Sequence, residues 1–172
     1  AKSLYESGQY AEVVDTLLSV PDSHATPDLK TFSMLTRALA NQGKLTEALG
    51  WCDRWVDADK LDASSYYLRA VILQELGESE QPRRSLQTAI YLEPQFVLAH
   101  FALGNLARNR SKVAEANKHF ANASRLLRDY QPGDVLPESD GLTAGRLTEI
   151  ITSIDLPDGN GFNVAFSMLL VI

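Results

Sequence analysis

At 172 residues and 45% hydrophobic content, the chain is long enough for one domain or one short solenoid and has an ordinary globular composition. Its net charge of −6 and pI near 5.0 provide no basic stripe to neutralise phosphates, which excludes a general nucleic-acid binder. The single cysteine, Cys52, permits no internal disulfide and fits a reducing cytoplasm, and no run approaches the roughly 18 apolar residues of a membrane span.

Residues 1–20 read as the back part of a helix pair. Ala1 takes the small first-helix position, Gly8 the turn, and Val13, Leu17 and Val20 the second helix. The chain starts without an initiator Met or a signal segment, and a repeat unit cannot bury its apolar face alone. A piece of a longer protein, cut inside a repeat and preceded by another domain, is therefore expected. Pro21 to Asp28 (PDSHATPD) is a polar connector that carries His24 and ends on Asp28, a suitable N-cap.

Residues 29–62, 63–96 and 97–130 then repeat a single pattern. Phe32, Thr36, Leu39, Gly43, Ala48, Cys52 and Trp55 recur as Tyr66, Ala70, Leu73, Gly77, Pro82, Leu86 and Ala89. They recur again as His100, Gly104, Ala107, Ser111, Ala116, Phe120 and Ala123. The step is about 34 residues, the period of tetratricopeptide repeats. Small residues let two antiparallel helices approach, and larger apolar ones plug the gaps between them. Gly43 and Gly77 suit the left-handed end of a first helix, with Ser111 a mild departure, and Pro94 stops a second helix. Trp51 and Trp55 read as core filling next to small neighbours. The predicted fold is all-α: a tetratricopeptide-repeat right-handed solenoid of helix-turn-helix units with a C-terminal capping helix.

Tyr130 to Asp140 (YQPGDVLPESD) is expected to be a loop, and residues 141–154 a last helix. That helix sets Leu142, Leu147, Ile150, Ile151 and Ile154 on one face and covers the apolar end of the array. Residues 155–172 differ: DLPDGNG is turn-forming and FNVAFSMLLVI is an apolar run of strand-like composition, a tail that needs cover in its own groove or a neighbour's.

No catalytic constellation stands out. His24, His100 and His119 have no zinc-ligand spacing, and Gly141 and Gly145 do not form a phosphate loop. Cys52 falls on a packing position, and the carboxylates are scattered. The expectation is a non-enzymatic stretch with no metal or cofactor of its own. Such an array offers instead a concave surface lined by first helices. By the repeat register the candidate groove residues are Arg37 and Asn41, then Tyr67 and Gln74, then Phe101, Asn105 and Arg108. An Asn amide can clamp a peptide backbone through one donor and one acceptor, and Arg37 or Arg108 can hold a carboxylate. The alternative is that these are simply solvated side chains. Val71 stands where a chaperone-linked carboxylate clamp needs Asn, which argues against a chaperone adaptor.

The run YLEPQFVLAHFALGNLAR, the helix KVAEANKHFANASRLLRDY and the segment PESDGLTAGRL resemble the C-terminal extension of CheR-type chemotaxis methyltransferases. The likeness covers Leu29 to Ile154, and the DGLTAGRL signature, Asp140 to Leu147, is its most specific part. The resemblance implies a bacterial parent that methylates chemoreceptor glutamates with S-adenosylmethionine, bound by a catalytic domain that is not in this stretch. The repeats would then dock a chemoreceptor cytoplasmic segment, a response regulator or the methyltransferase domain itself. Rival readings are a free-standing scaffold or adaptor, or a purely structural or oligomerising domain.

Overall fold

The computed structural model describes residues 1–19 and 28–154, so the expectations for Val20, His24 and the tail at 155–172 lie outside the described residues. The described chain folds into helices: α1 (Lys2–Glu6), α2 (Tyr10–Leu18), α3 (Leu29–Asn41), α4 (Leu45–Ala58), α5 (Ala63–Glu75), α6 (Glu80–Leu92), α7 (Val97–Asn109), α8 (Val113–Leu127) and α9 (Ala144–Ile154). None of these helices is long and apolar enough to cross a membrane. Two compact units divide the chain, Ala1–Ser85 and a second that begins at Leu86 inside α6.

One hydrogen-bond motif closes the first helix of each pair. Gln9, Lys44, Glu78 and Lys112 donate their backbone N–H to the carbonyls of Leu4, Leu39, Leu73 and Ala107, at 2.9–3.0 Å. This six-to-one bond satisfies a carbonyl that the helix end would otherwise orphan, and it needs a left-handed residue just before the donor. Gly8, Gly43 and Gly77 supply it at φ 75°, 73° and 82°. Ser111 takes the same conformation at φ 57°, despite its Cβ.

In the first unit consecutive helices pack from α1 through α5. Leu35, Leu39, Ala48, Cys52, Leu68 and Ile72 are sealed from solvent, each large side chain contributing about 1.5–3 kcal/mol by burial. Asp28 caps α3 by accepting the Thr31 N–H at 2.7 Å, and the Thr31 side chain first, then this N–H, hold its carboxyl below the ordinary range. Asp62 joins two helices: one oxygen accepts the Ser64 N–H at the start of α5, the other the indole N–H of Trp55 on α4, both at 3.0 Å. Trp55 is thus a core residue with its polar edge satisfied. Trp51 is half-buried, with Phe32 at 6.1 Å and the Arg54 guanidinium 4.6 Å above its ring. Arg69 bonds Asp53 at 2.7 Å and Ser85 at 3.0 Å, so a cation takes a repeat position otherwise apolar.

In the second unit α8 packs on α7, and α9 on α8. Gly104 is required for the first contact: a Cβ there would stand 2.6 Å from the Phe120 ring. The last helix begins at Ala144 rather than at Gly141, which corrects the expected 141–154 span. Asp140 and Gly141 adopt φ 49° and 105°, and this left-handed reversal cannot belong to an α-helix. The residues before α9 form a lock instead. Leu136 N–H donates to Leu142 O at 2.9 Å, and the Ser139 hydroxyl lies 2.6 Å from Leu136 O and 3.1 Å from Leu142 O. Thr143 Oγ1 accepts the Arg146 N–H at 3.3 Å, while Ala144 and Gly145 donate to Asp134 O and Pro132 O at 2.9 Å. Any side chain at Gly145 would meet Pro132 O at 2.8 Å. Leu136, Ala144, Leu147 and Ile151 are buried, whereas Ile150 and Ile154 are half-buried.

Candidate protein-binding face

A helix presents residues three, four and seven apart on one face. Arg37 and Asn41 share such a face on α3, Tyr67 and Gln74 on α5, and Phe101, Asn105 and Arg108 on α7. The first two helices belong to the first unit and α7 to the second.

On α3, Arg37 is half-buried, and Asn41 already has a partner: its amide donates to the Tyr5 hydroxyl at 3.4 Å. That long bond ties α3 to α1, whose Tyr5 ring also stands edge-on to Tyr10 at 5.3 Å. On α5, Tyr67 is buried rather than solvated. Gln74 is half-buried, and its Oε1 is sealed from solvent with no donor in reach among the described residues.

On α7 the expected mixed polar face is modified in a different way. Phe101 is 1% exposed, and its ring stands 5.8 Å from that of Phe120 on α8. It therefore belongs to the interior of this helix pair as much as to any face beyond it. Asn105 is 6% exposed, and its amide nitrogen finds no acceptor among the described residues. Arg108 is half-buried at the last turn, where a cation complements the helix dipole, and makes no ion pair among the described residues.

The histidines that the sequence leaves apart come together in the second unit, with the rings of His100 and His119 at 6.0 Å. His100 Nε2 lies 3.0 Å from Pro94 O, so the neutral ring carries its proton there. Its Nδ1 is buried with no donor among the described residues. Burial lowers the His100 pKa, the bond to Pro94 opposes that shift, and the Arg125 charge adds to it. Among the described residues no group of three His, Cys, Asp or Glu is placed to hold a metal. Burial pushes the Cys52 thiol up to about 12, with Asp53 adding to the shift, and its sulfur donates to Ser65 O at 3.3 Å. The thiol is a packing group at neutral pH.

Sequence reading missed a cleft between α8 and α9, lined by Ser124, Leu127, Arg128, Tyr130, Thr148 and Thr152 among others. Nothing in the spacing signals it, because it exists only once the lock at 132–145 has laid α9 against α8.

No family model matches the chain, and no curated protein matches it. Solved structures do. The crystal structure of MamA is similar at a TM-score of 0.68 and 19% identity, over 74% of each chain. YrrB, a TPR protein with an unusual peptide-binding site, is similar at 0.64 and 16%, over 74% of this chain and 65% of its own. PcrH, in complex with the chaperone binding region of PopD, is similar at 0.59 and 20%, over 73% of this chain and 91% of its own. At these identities the likeness establishes the fold, and together with the helix pairs and their recurring turns it shows an all-α tetratricopeptide-repeat fold.

Proposed function

We propose that the chain is a protein-docking module that takes extended peptide against its first helices. The observation that carries this reading is the buried amide nitrogen of Asn105 on α7, a donor with no acceptor among the described residues. Leaving such a group unsatisfied costs about 1–3 kcal/mol, and a peptide carbonyl would remove that cost. Gln74 on α5 is the converse, a buried acceptor without a donor among the described residues, which a peptide N–H would satisfy. The peptide-binding site of YrrB and the PopD segment held by PcrH support binding of this kind on this fold.

The finer reading is a regulatory docking module of a cytoplasmic, S-adenosylmethionine-dependent chemoreceptor methyltransferase, with a receptor segment, a response regulator or the parent's own methyltransferase domain as partner. The DGLTAGRL likeness, Asp140 to Leu147, is what supports it. The complex of PcrH favours the second reading, a free-standing adaptor.

Calorimetry with a purified chemoreceptor cytoplasmic fragment tests the proposal. The expected result is binding by the full chain, weakened about tenfold by Asn105→Ala, the loss of roughly 1.4 kcal/mol. Capture of other signalling segments without the receptor would favour the adaptor. Binding to any of them that is indifferent to Asn105→Ala and Gln74→Ala alike would overturn the use of these helices.

A further inference from the structure

We propose a second ligand site, in the cleft between α8 and α9, that takes an extended acidic peptide segment of a partner protein. It lies within the second unit and rests on different residues from the docking face above. The cleft has a volume of about 430 Å³, inside the range of about 300–1,000 Å³ usual for ligand sites. Its lining is largely apolar: Leu127 and Ala144 contribute buried side chains and Pro132 adds its ring.

The two walls differ in hydrogen-bonding character. On α9, the Thr148 and Thr152 hydroxyls each donate to a backbone carbonyl of their own helix, Ala144 O and Thr148 O, both at 2.9 Å. Their hydrogens are committed, so what they offer the cleft is acceptor lone pairs. At the C-cap of α8, Arg128 is exposed and makes no ion pair among the described residues. A guanidinium only donates, and Ser124 adds a hydroxyl on the same wall. One wall accepts and the other donates, across a gap with a largely apolar lining.

An extended peptide has the matching pattern. Its N–H groups meet the threonine oxygens, a carboxylate meets Arg128, and an adjacent apolar side chain rests on Leu127 and Ala144. The charge of Arg128 decides between acidic and neutral segments, because charge-assisted bonds to a guanidinium are roughly twice as strong as neutral ones. A basic segment finds no carboxylate among the residues that line the cleft.

The test uses the full chain, labelled with ¹⁵N, and an array of blocked peptides Ala-Xaa-Glu-Ala with every residue at Xaa, beside the same array carrying Gln for Glu. The expected result is binding by glutamate peptides with an apolar Xaa, with amide shifts gathered on Arg128, Gly145, Thr148 and Thr152. Arg128→Glu, at an exposed position that leaves the helical spectrum unchanged, is expected to weaken those peptides at least tenfold and to favour lysine in place of glutamate. Thr148→Val removes an acceptor with little change of shape and is expected to weaken both arrays equally. The proposal is overturned if no peptide of the array binds, if Glu and Gln peptides bind alike, if Arg128→Glu has no effect, or if the shifts report self-association.

Discussion

Helices α7 and α8 have similar lengths and lie against each other, yet they meet their surroundings in opposite ways. Every residue of α7 from Val97 to Ala107 is buried, whereas α8 buries only a stripe of Ala116, Phe120, Ala123, Leu126 and Leu127. The local sequences say why. VLAHFALGNLA is apolar nearly all round, the mark of an inner helix, while VAEANKHFANASRLL alternates apolar and polar at helical spacing, the mark of an outer one. The consequence is chemical. Most polar groups on α8 are solvated at little cost, the buried His119 Nδ1 excepted, but His100 and Asn105 on α7 are desolvated as whole side chains. A tetratricopeptide pair therefore concentrates its hydrogen-bonding demand on the inner helix, and that is where a ligand gains most by meeting it.

The comparison is tested most severely at the seam. Phe120→Ala should cost about 3–5 kcal/mol in urea unfolding, whereas Lys118→Ala on the exposed side of the same helix should stay within about 0.5 kcal/mol. Gly104→Ala should also destabilise, by about 1–3 kcal/mol, but much less when Phe120 is already Ala, since the clash is with that ring. Near-additive costs would mean that α7 and α8 do not share a tight seam.

Protonation tests the inner helix more gently. Because burial holds the His100 pKa down, the unfolded chain binds a proton more readily than the folded one. Stability should be fully present above the ordinary value of 6.5 and should fall as pH drops below it towards the lowered folded value. His100→Gln should flatten that part of the pH profile, and an unchanged profile would show that His100 is not desolvated. The smallest effect lies at the turn. Ser111→Gly should stabilise by about 0.5–1 kcal/mol, since the native φ of 57° suits glycine, and a loss on this substitution would show that the serine side chain contributes to the turn.

Sequence periodicity by itself determined the helices, their pairing and the turns, because these follow from local hydrogen bonding and from small residues recurring at a fixed step. The turn position of Ser111 was legible from Gly43 and Gly77, although as a departure from glycine, and Asp28 from its place before an apolar run; that Ser111 keeps the left-handed φ of 57° was not. Only the tertiary structure decided which polar residues lose water. Asn41, Gln74, Asn105 and Arg108 are all placed on the first-helix face by the repeat register, yet one is bonded to Tyr5, two have a buried unsatisfied atom and one is half-buried. Likewise Phe101 is assigned to a face by register and to the interior by Phe120. The DGLT stretch reads as helix by its apolar spacing, but Ser139, Asp134 and Pro132 hold it as a lock, and the cleft beside α9 follows from that. Local pattern sets which way a side chain points along its own helix; burial depends on what a distant segment places in front of it.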